Sequence, residues 1–157
     1  MEKSNDHLRV RTACEADIPN YSDKLAIAFG LEASQIRAQG LRDLADKNRC
    51  LMVATLREEV IAVARVTHYE VNGSLKNTEG YFLLGLWVEP SARRRGIGKL
   101  LTVRRMDWVN NQQNTTCHTL IDAYAIGSLK LHEDLGFRHT DTLADGRRLL
   151  TADLSEN

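Results

Sequence analysis

Residues 83–101 read Leu83-Leu84-Gly85-Leu86-Trp87-Val88-Glu89-Pro90-Ser91-Ala92-Arg93-Arg94-Arg95-Gly96-Ile97-Gly98-Lys99-Leu100-Leu101. The run from Tyr81 to Val88 is apolar on both faces, the pattern of a strand in the middle of a sheet. Gly85 inside it signals a bulge or a close backbone approach. Three arginines follow, and Gly96-Ile97-Gly98 opens an apolar-periodic stretch that predicts a helix to about Asn111. The first N–H groups of a helix have no internal partner, and the helix dipole makes that end positive. Glycines there remove the Cβ atoms that would hold a ligand away, and guanidinium groups are suited to phosphate oxygens. Together these residues predict an anion site, most simply for a diphosphate.

Outward from this stretch the chain reads as mixed α/β. Toward the N-terminus, Leu8–Arg11 predicts a short strand. Acidic residues up to Asp17 precede a helix carried by Ile18, Tyr21, Leu25, Ala28 and Phe29, with Gly30 as its stop. A second helix is expected over 33–47 on Ile36, Leu41 and Leu44, weakened by Gly40. Two strands, 50–56 and 60–67, flank the turn Arg57-Glu58-Glu59, and 70–80 is a loop. Toward the C-terminus, strand 116–123 leads to a helix over 126–135 closed by Gly136. Strands 137–143 and 147–154 then form a hairpin across Asp145-Gly146.

Composition narrows the function classes. The 157 residues suit one domain, and no linker or repeat divides them. Lys plus Arg and Asp plus Glu are 21 each, so no global field draws nucleic acid or an anionic membrane. The run Tyr81–Val88 is far shorter than the ~20 residues of a membrane span. The N-terminal MEKSNDHLRVR has no apolar segment, so no leader is expected. Cys14, Cys50 and Cys117 are far apart and odd in number, which points to three buried thiols in a reducing, cytoplasmic setting. The histidines show no metal spacing, so no metal is expected.

Three phosphate-binding patterns compete for residues 93–99. A Walker A loop fails at Gly98-Lys99-Leu100. A dinucleotide fingerprint lacks its third glycine, since Leu101 stands there, although Asp122 has the place of a ribose carboxylate. Coenzyme A bound through its pyrophosphate is the third. Arg93-Arg94-Arg95-Gly96-Ile97-Gly98 resembles the [RQ]-x-x-G-x-[GA] signature of the GCN5-related N-acetyltransferases (GNAT). Ser128-Leu129-Lys130-Leu131-His132-Glu133-Asp134-Leu135-Gly136-Phe137 resembles that family's late helix and its Gly-Phe ending, and the order of elements fits nearly the whole chain.

The resemblance implies one GNAT domain over residues 1–157, a central mixed sheet with a bulged, splayed strand flanked by helices, and acetyl-CoA as co-substrate. The pyrophosphate would lie on Arg93, Arg94, Arg95, Gly96, Ile97, Gly98 and Lys99, and the pantetheine arm on the backbone of Leu86, Trp87 and Val88. A primary amine of a small molecule would attack the thioester directly, in a cleft beside strand 116–123. His132 takes the place of the tyrosine that protonates the leaving thiolate; packing at the cleft edge is its alternative role. Ala125 replaces a pantetheine-binding Asn, a contact that Ser128 would supply. No strand carboxylate is present, which leaves Glu79, Asp122 and His118 as base candidates. Tyr21, Phe29, Tyr81 and Tyr124 are candidates for acceptor pocket or for packing, and Trp87 and Trp108 for core or cleft wall. A homodimer is admissible; nucleic acid and membrane are not expected. An acyl-CoA sensor without turnover is the alternative function, and a nicotinamide dehydrogenase a third.

Overall fold

The computed structural model describes residues 7–156. Its elements run β1 (Arg9–Thr12), α1 (Asp17–Phe29), α2 (Ala33–Ala45), β2 (Cys50–Leu56), β3 (Glu59–Tyr69), β4 (Gly80–Val88), α3 (Ile97–Asn111), β5 (Thr116–Ile121), α4 (Ile126–Asp134), β6 (Phe137–Thr142) and β7 (Arg148–Asp153). The fold is mixed α/β, with seven strands in one mixed sheet ordered β1-β2-β3-β4-β5-β7-β6 and helices flanking it. The pair β4·β5 is parallel, while β1·β2, β5·β7 and β6·β7 are antiparallel. The expectation of no leader rests partly on residues 1–6, which lie outside the described residues. Among the described residues no helix is long and apolar enough to cross a membrane.

The chain divides into two compact units: Met1–Arg65 with Gly85–Thr102, and Val66–Leu84 with Val103–Asn157. The first has a core of Ile18, Tyr21, Leu25, Leu51, Val53, Val60, Val63 and Trp87. In the second, Leu75, Phe82, Leu143 and Leu149 form a buried cluster.

Within the first unit, local chemistry sets the helix ends. The Asp17 carboxylate accepts the Cys14 amide at 2.8 Å and both Arg11 Nη atoms at 2.6 and 2.8 Å. The α1 helix stops at Gly30, whose φ of 65° is left-handed. The α2 helix starts with a Glu32–Gln35 capping box. Gly40 in its middle is a weak helix former, but it is buried, and a Cβ there would stand 2.7 Å from Tyr21 Oη and 3.1 Å from Ile18 Cδ1. Its role is close packing of α2 on α1.

Several expectations need correction. Cys14 is exposed; only Cys50 and Cys117 are buried. Burial pushes the Cys117 thiol up to about 12. Leu41, 46% exposed, and Phe29, 51% exposed, are not core anchors; Ile36 and Leu44 are. The α2 helix ends at Ala45, β3 reaches Tyr69, and β5 stops at Ile121, so Asp122 lies past the strand. The loop before β4 contains a 3-10 turn, Gly73–Leu75.

Two stability predictions follow from this packing. Replacing Gly40 by Ala gains about 1 kcal/mol of helix propensity but overpacks Tyr21 at a cost of about 1–3 kcal/mol. Urea denaturation of Gly40→Ala is therefore expected to show a net loss; a gain would mean that α1 and α2 separate freely. The Arg11 guanidinium lowers the Asp17 carboxyl from 3.8 to about 2. Its depressed folded-state pKa contributes about 2 kcal/mol, present above the unfolded value and lost as pH falls from about 4 through about 2. Asp17→Asn should flatten the stability curve across that window.

Candidate active site

The segment joining β4 to α3 turns sharply. Pro90–Ala92 form a 3-10 turn, Ala92 is buried, and Arg93 Nε donates to the Val88 carbonyl at 2.9 Å. Arg94 has φ of 65° and Gly96 φ of 78°, so the backbone twice enters the left-handed region before the helix. For Arg94 that is a strained conformation. Ile97, 3% exposed, anchors the helix start. The first helical bond of this stretch runs from the Leu100 amide to the Gly96 oxygen at 3.0 Å, so the amides of Ile97, Gly98 and Lys99 precede the helical ladder. Thr102 Oγ1 donates to the Gly98 carbonyl at 2.7 Å. Arg93, Arg94, Arg95 and Lys99 are all exposed, so four cations lie close in the chain to amides of the kind suited to an anion.

Just upstream, the side chain of Trp87 is spent in the core, and its indole N–H is buried without a partner among the described residues. Leu86 and Val88 are half-buried. Of Trp87, therefore, only the backbone is suited to meet a ligand. Gly85 has φ of 64°, and a Cβ there would come within 3.0 Å of Arg65 Cδ. A carboxylate side chain has no relaxed place at position 85.

The second unit holds the other candidates. His132 on α4 is 4% exposed, its Nδ1 lies 2.7 Å from the Ser128 carbonyl, and its ring packs edge-on against Phe137. A carbonyl can only accept, so Nδ1 carries the proton. Burial lowers the His132 pKa, the Ser128 bond opposes this, and the Arg105 cation lowers it further. At neutral pH the ring is uncharged, with its lone pair on Nε2. Arg105 is itself buried and donates to the Leu84 carbonyl at 3.3 Å. Ser128 is half-buried.

Base candidates separate by burial. Glu79 and Asp122 are exposed. His118, expected half-buried, is 7% exposed; its Nδ1 meets Thr151 Oγ1 at 2.8 Å, and burial lowers its pKa against a bond to the Glu79 backbone. That His is held as a structural element of β5. Tyr81 is buried against His68 and Trp108, and Tyr124 is 81% exposed. Among the described residues no cluster of His, Cys, Asp and Glu could hold a metal ion.

Residue reading did not single out Asp43 or Arg65. Both line a cavity of about 530 Å³ in the first unit, together with Tyr21, Phe29, Gly40 and Gly85. Asp43 is an acid at a core-facing position of an amphipathic helix, and that was the available signal.

Comparison with known proteins follows the same outline. The profile described as the acetyltransferase (GNAT) family matches residues 15–137. No curated protein matches the chain. Among solved structures, an N-acetyltransferase from Staphylococcus aureus Mu50 superposes with a TM-score of 0.79 at 19% identity, over 94% of this chain and 99% of that one. YncA of Salmonella typhimurium, solved with its cofactor acetyl-CoA, gives 0.78 at 16% identity over 96% of each chain. The aminoglycoside acetyltransferase AAC(6')-Iy, bound to a CoA-acetylneamine bisubstrate analogue, gives 0.76 at 21% identity, over 87% of this chain and 95% of that one. These likenesses concern the fold.

Proposed function

The chain belongs to the acetyltransferase (GNAT) family, and from that premise we propose that it transfers the acetyl group of acetyl-CoA to a primary amine of a small molecule. The amine nitrogen bonds to the thioester carbonyl carbon, the carbon–sulfur bond breaks, the amine gives up a proton and the thiolate takes one. We read the chain as one acetyltransferase domain over residues 1–157, acting in the cytoplasm. Its zero formal charge favours neither nucleic acid nor membrane as partner.

The observation that carries this reading is the start of α3. Amides of Ile97, Gly98 and Lys99 precede the helical ladder, and exposed Arg93, Arg94 and Arg95 come just before them in the chain. They suit the pyrophosphate of coenzyme A, and the backbone of Leu86, Trp87 and Val88 suits the pantetheine amides. Ser128 is assigned to the cofactor as well. His132 is assigned the proton of the leaving thiolate, given from its imidazolium form. A second reading, an acyl-CoA sensor without turnover, is favoured by one observation: Gly85 leaves the strand with no carboxylate.

Titration of acetyl-CoA into Gly98→Trp should show binding weakened by roughly a hundredfold, because the indole fills the space over the helix start. Unchanged affinity in a folded variant would remove the pyrophosphate site. At acid pH, where the imidazolium is populated, His132→Phe should lower kcat by about a hundredfold while the acetyl-CoA Kd stays fixed. The His132 pKa is depressed, so the imidazolium is lost early as pH rises, and the wild-type advantage over His132→Phe should shrink toward alkaline pH. Equal rates across the whole pH range would return His132 to packing. Acetyl-CoA binding without thiol release on any amine would favour the sensor.

A further inference from the structure

The cavity beside Gly85 lies within the first unit and, at about 530 Å³, has the size of a small-molecule site. Leu25, Phe29, Leu31, Ile36, Leu51 and Val63 form its apolar walls. Phe29 and Leu31, 51% and 50% exposed, carry that apolar surface out to the mouth. Gly85 also lines it and directly precedes the β4 residues whose backbone is assigned to the cofactor.

The charged groups at its wall are already engaged. The Asp43 carboxylate, 1% exposed, accepts Arg65 Nε at 2.7 Å, Gln39 Nε2 at 3.1 Å, and Arg65 Nη2 and Arg49 Nη1 at 3.3 Å each. Those four donors fill about the four acceptor sites that a carboxylate has. Arg49 also reaches Asp46 at 3.5 Å, so two guanidinium groups face two carboxylates and the cluster shows a ligand no net charge. Arg42, exposed at the rim, donates to Gln39 Oε1 at 3.2 Å. The phenol of Tyr21 is different. Tyr21 is 2% exposed and lines the cavity, and among the described residues its Oη makes no hydrogen bond. That oxygen stands 2.7 Å from where a Cβ of Gly40, another lining residue, would be. Burial and the Asp43 charge push the phenol up to about 12, so it is neutral at any working pH and can accept an N–H.

We propose that this cavity takes an acceptor with an apolar body and a single amine, an alkylamine or arylalkylamine, whose nitrogen donates one N–H to Tyr21 Oη. The proposal rests on the acetyl-transfer reading for its word "acceptor", but the recognition stands on the cavity itself. Burial among apolar walls disfavours an ammonium relative to the free amine, which is the form that attacks a thioester. That eases deprotonation beside a strand lacking its own carboxylate. The phenol oxygen takes an N–H and leaves the nitrogen lone pair free for the carbonyl carbon. A polycation is rejected, because its further ammonium groups lose water and find the one lining acid already filled.

The test combines thiol release from acetyl-CoA with calorimetry on the full chain, using 2-phenylethylamine, hexylamine, spermidine and kanamycin A. The two apolar amines are expected to exceed the two polycations in kcat/KM by at least about tenfold, the cost of one stranded ammonium. Tyr21→Phe keeps the ring and should raise KM for 2-phenylethylamine about fivefold, the worth of one hydrogen bond, with the acetyl-CoA Kd unchanged. Phe29→Ser, at the exposed mouth, should weaken calorimetric binding of 2-phenylethylamine several-fold. Polycations used as well as the apolar amines, an unaltered KM in Tyr21→Phe, or apolar amines that neither bind nor react overturns the proposal. The acetyl-transfer reading fails separately. Binding of 2-phenylethylamine that Phe29→Ser weakens, with no thiol release on any amine, sinks the transfer reading alone. Turnover of spermidine or kanamycin A with the apolar amines inert sinks the cavity proposal alone.

Discussion

A carboxylate buried to 1% exposure must be neutralised where it sits, and Asp43 is the group on which the first unit is organised. Leaving it unpaired would cost several kcal/mol, so α2 has to present it to Arg65 on β3 and to Arg49 ahead of β2. That demand fixes the face of α2 turned inward. It also holds the Arg65 stem 3.0 Å from where a Cβ of residue 85 would be. Asp43 is thus held by Arg65 and by Arg49, which also reaches Asp46 at 3.5 Å.

Close packing completes the arrangement. The α2 helix can bring Asp43 to β3 only if it also approaches α1, and Gly40 permits that approach over the Tyr21 hydroxyl. The ring of Tyr21 is a cavity wall and a core element at once. On the cofactor side the constraint is different. A helix must begin where the chain leaves β4, and left-handed turns at Arg94 and Gly96 bring the backbone there. Arg93, tied to the Val88 carbonyl, clamps the base of the turn. Amides without a helical partner are the by-product of any helix start, and at α3 exposed arginines precede them in the chain.

Much of this was legible before any coordinates. Strand and helix start at 81–98 follow from apolar patterning and glycine placement, and the hairpin follows from Asp145-Gly146, where φ of Gly146 is 92°. Local signals sufficed because each element's own side chains determine them. Errors fell where burial is decided by distant partners. Cys14 reads as a core thiol but lies in the loop that Asp17 organises. Leu41 has helical spacing but faces solvent, because the inward face of α2 is set by Gly40 and Asp43. Gly40 reads as a helix defect until Tyr21 is known to lie 2.7 Å from its missing methyl.

The residue string alone determined the family, the order of elements and the start of α3, because those depend on short-range periodicity and on consecutive residues. Only the folded arrangement decided which acid is spent and which histidine is neutral. Asp43, Arg49 and Arg65 are separated along the chain, and His132 answers to Arg105 from another helix. Electrostatic sign in a pocket is a sum over such partners. No linear spacing encodes that sum.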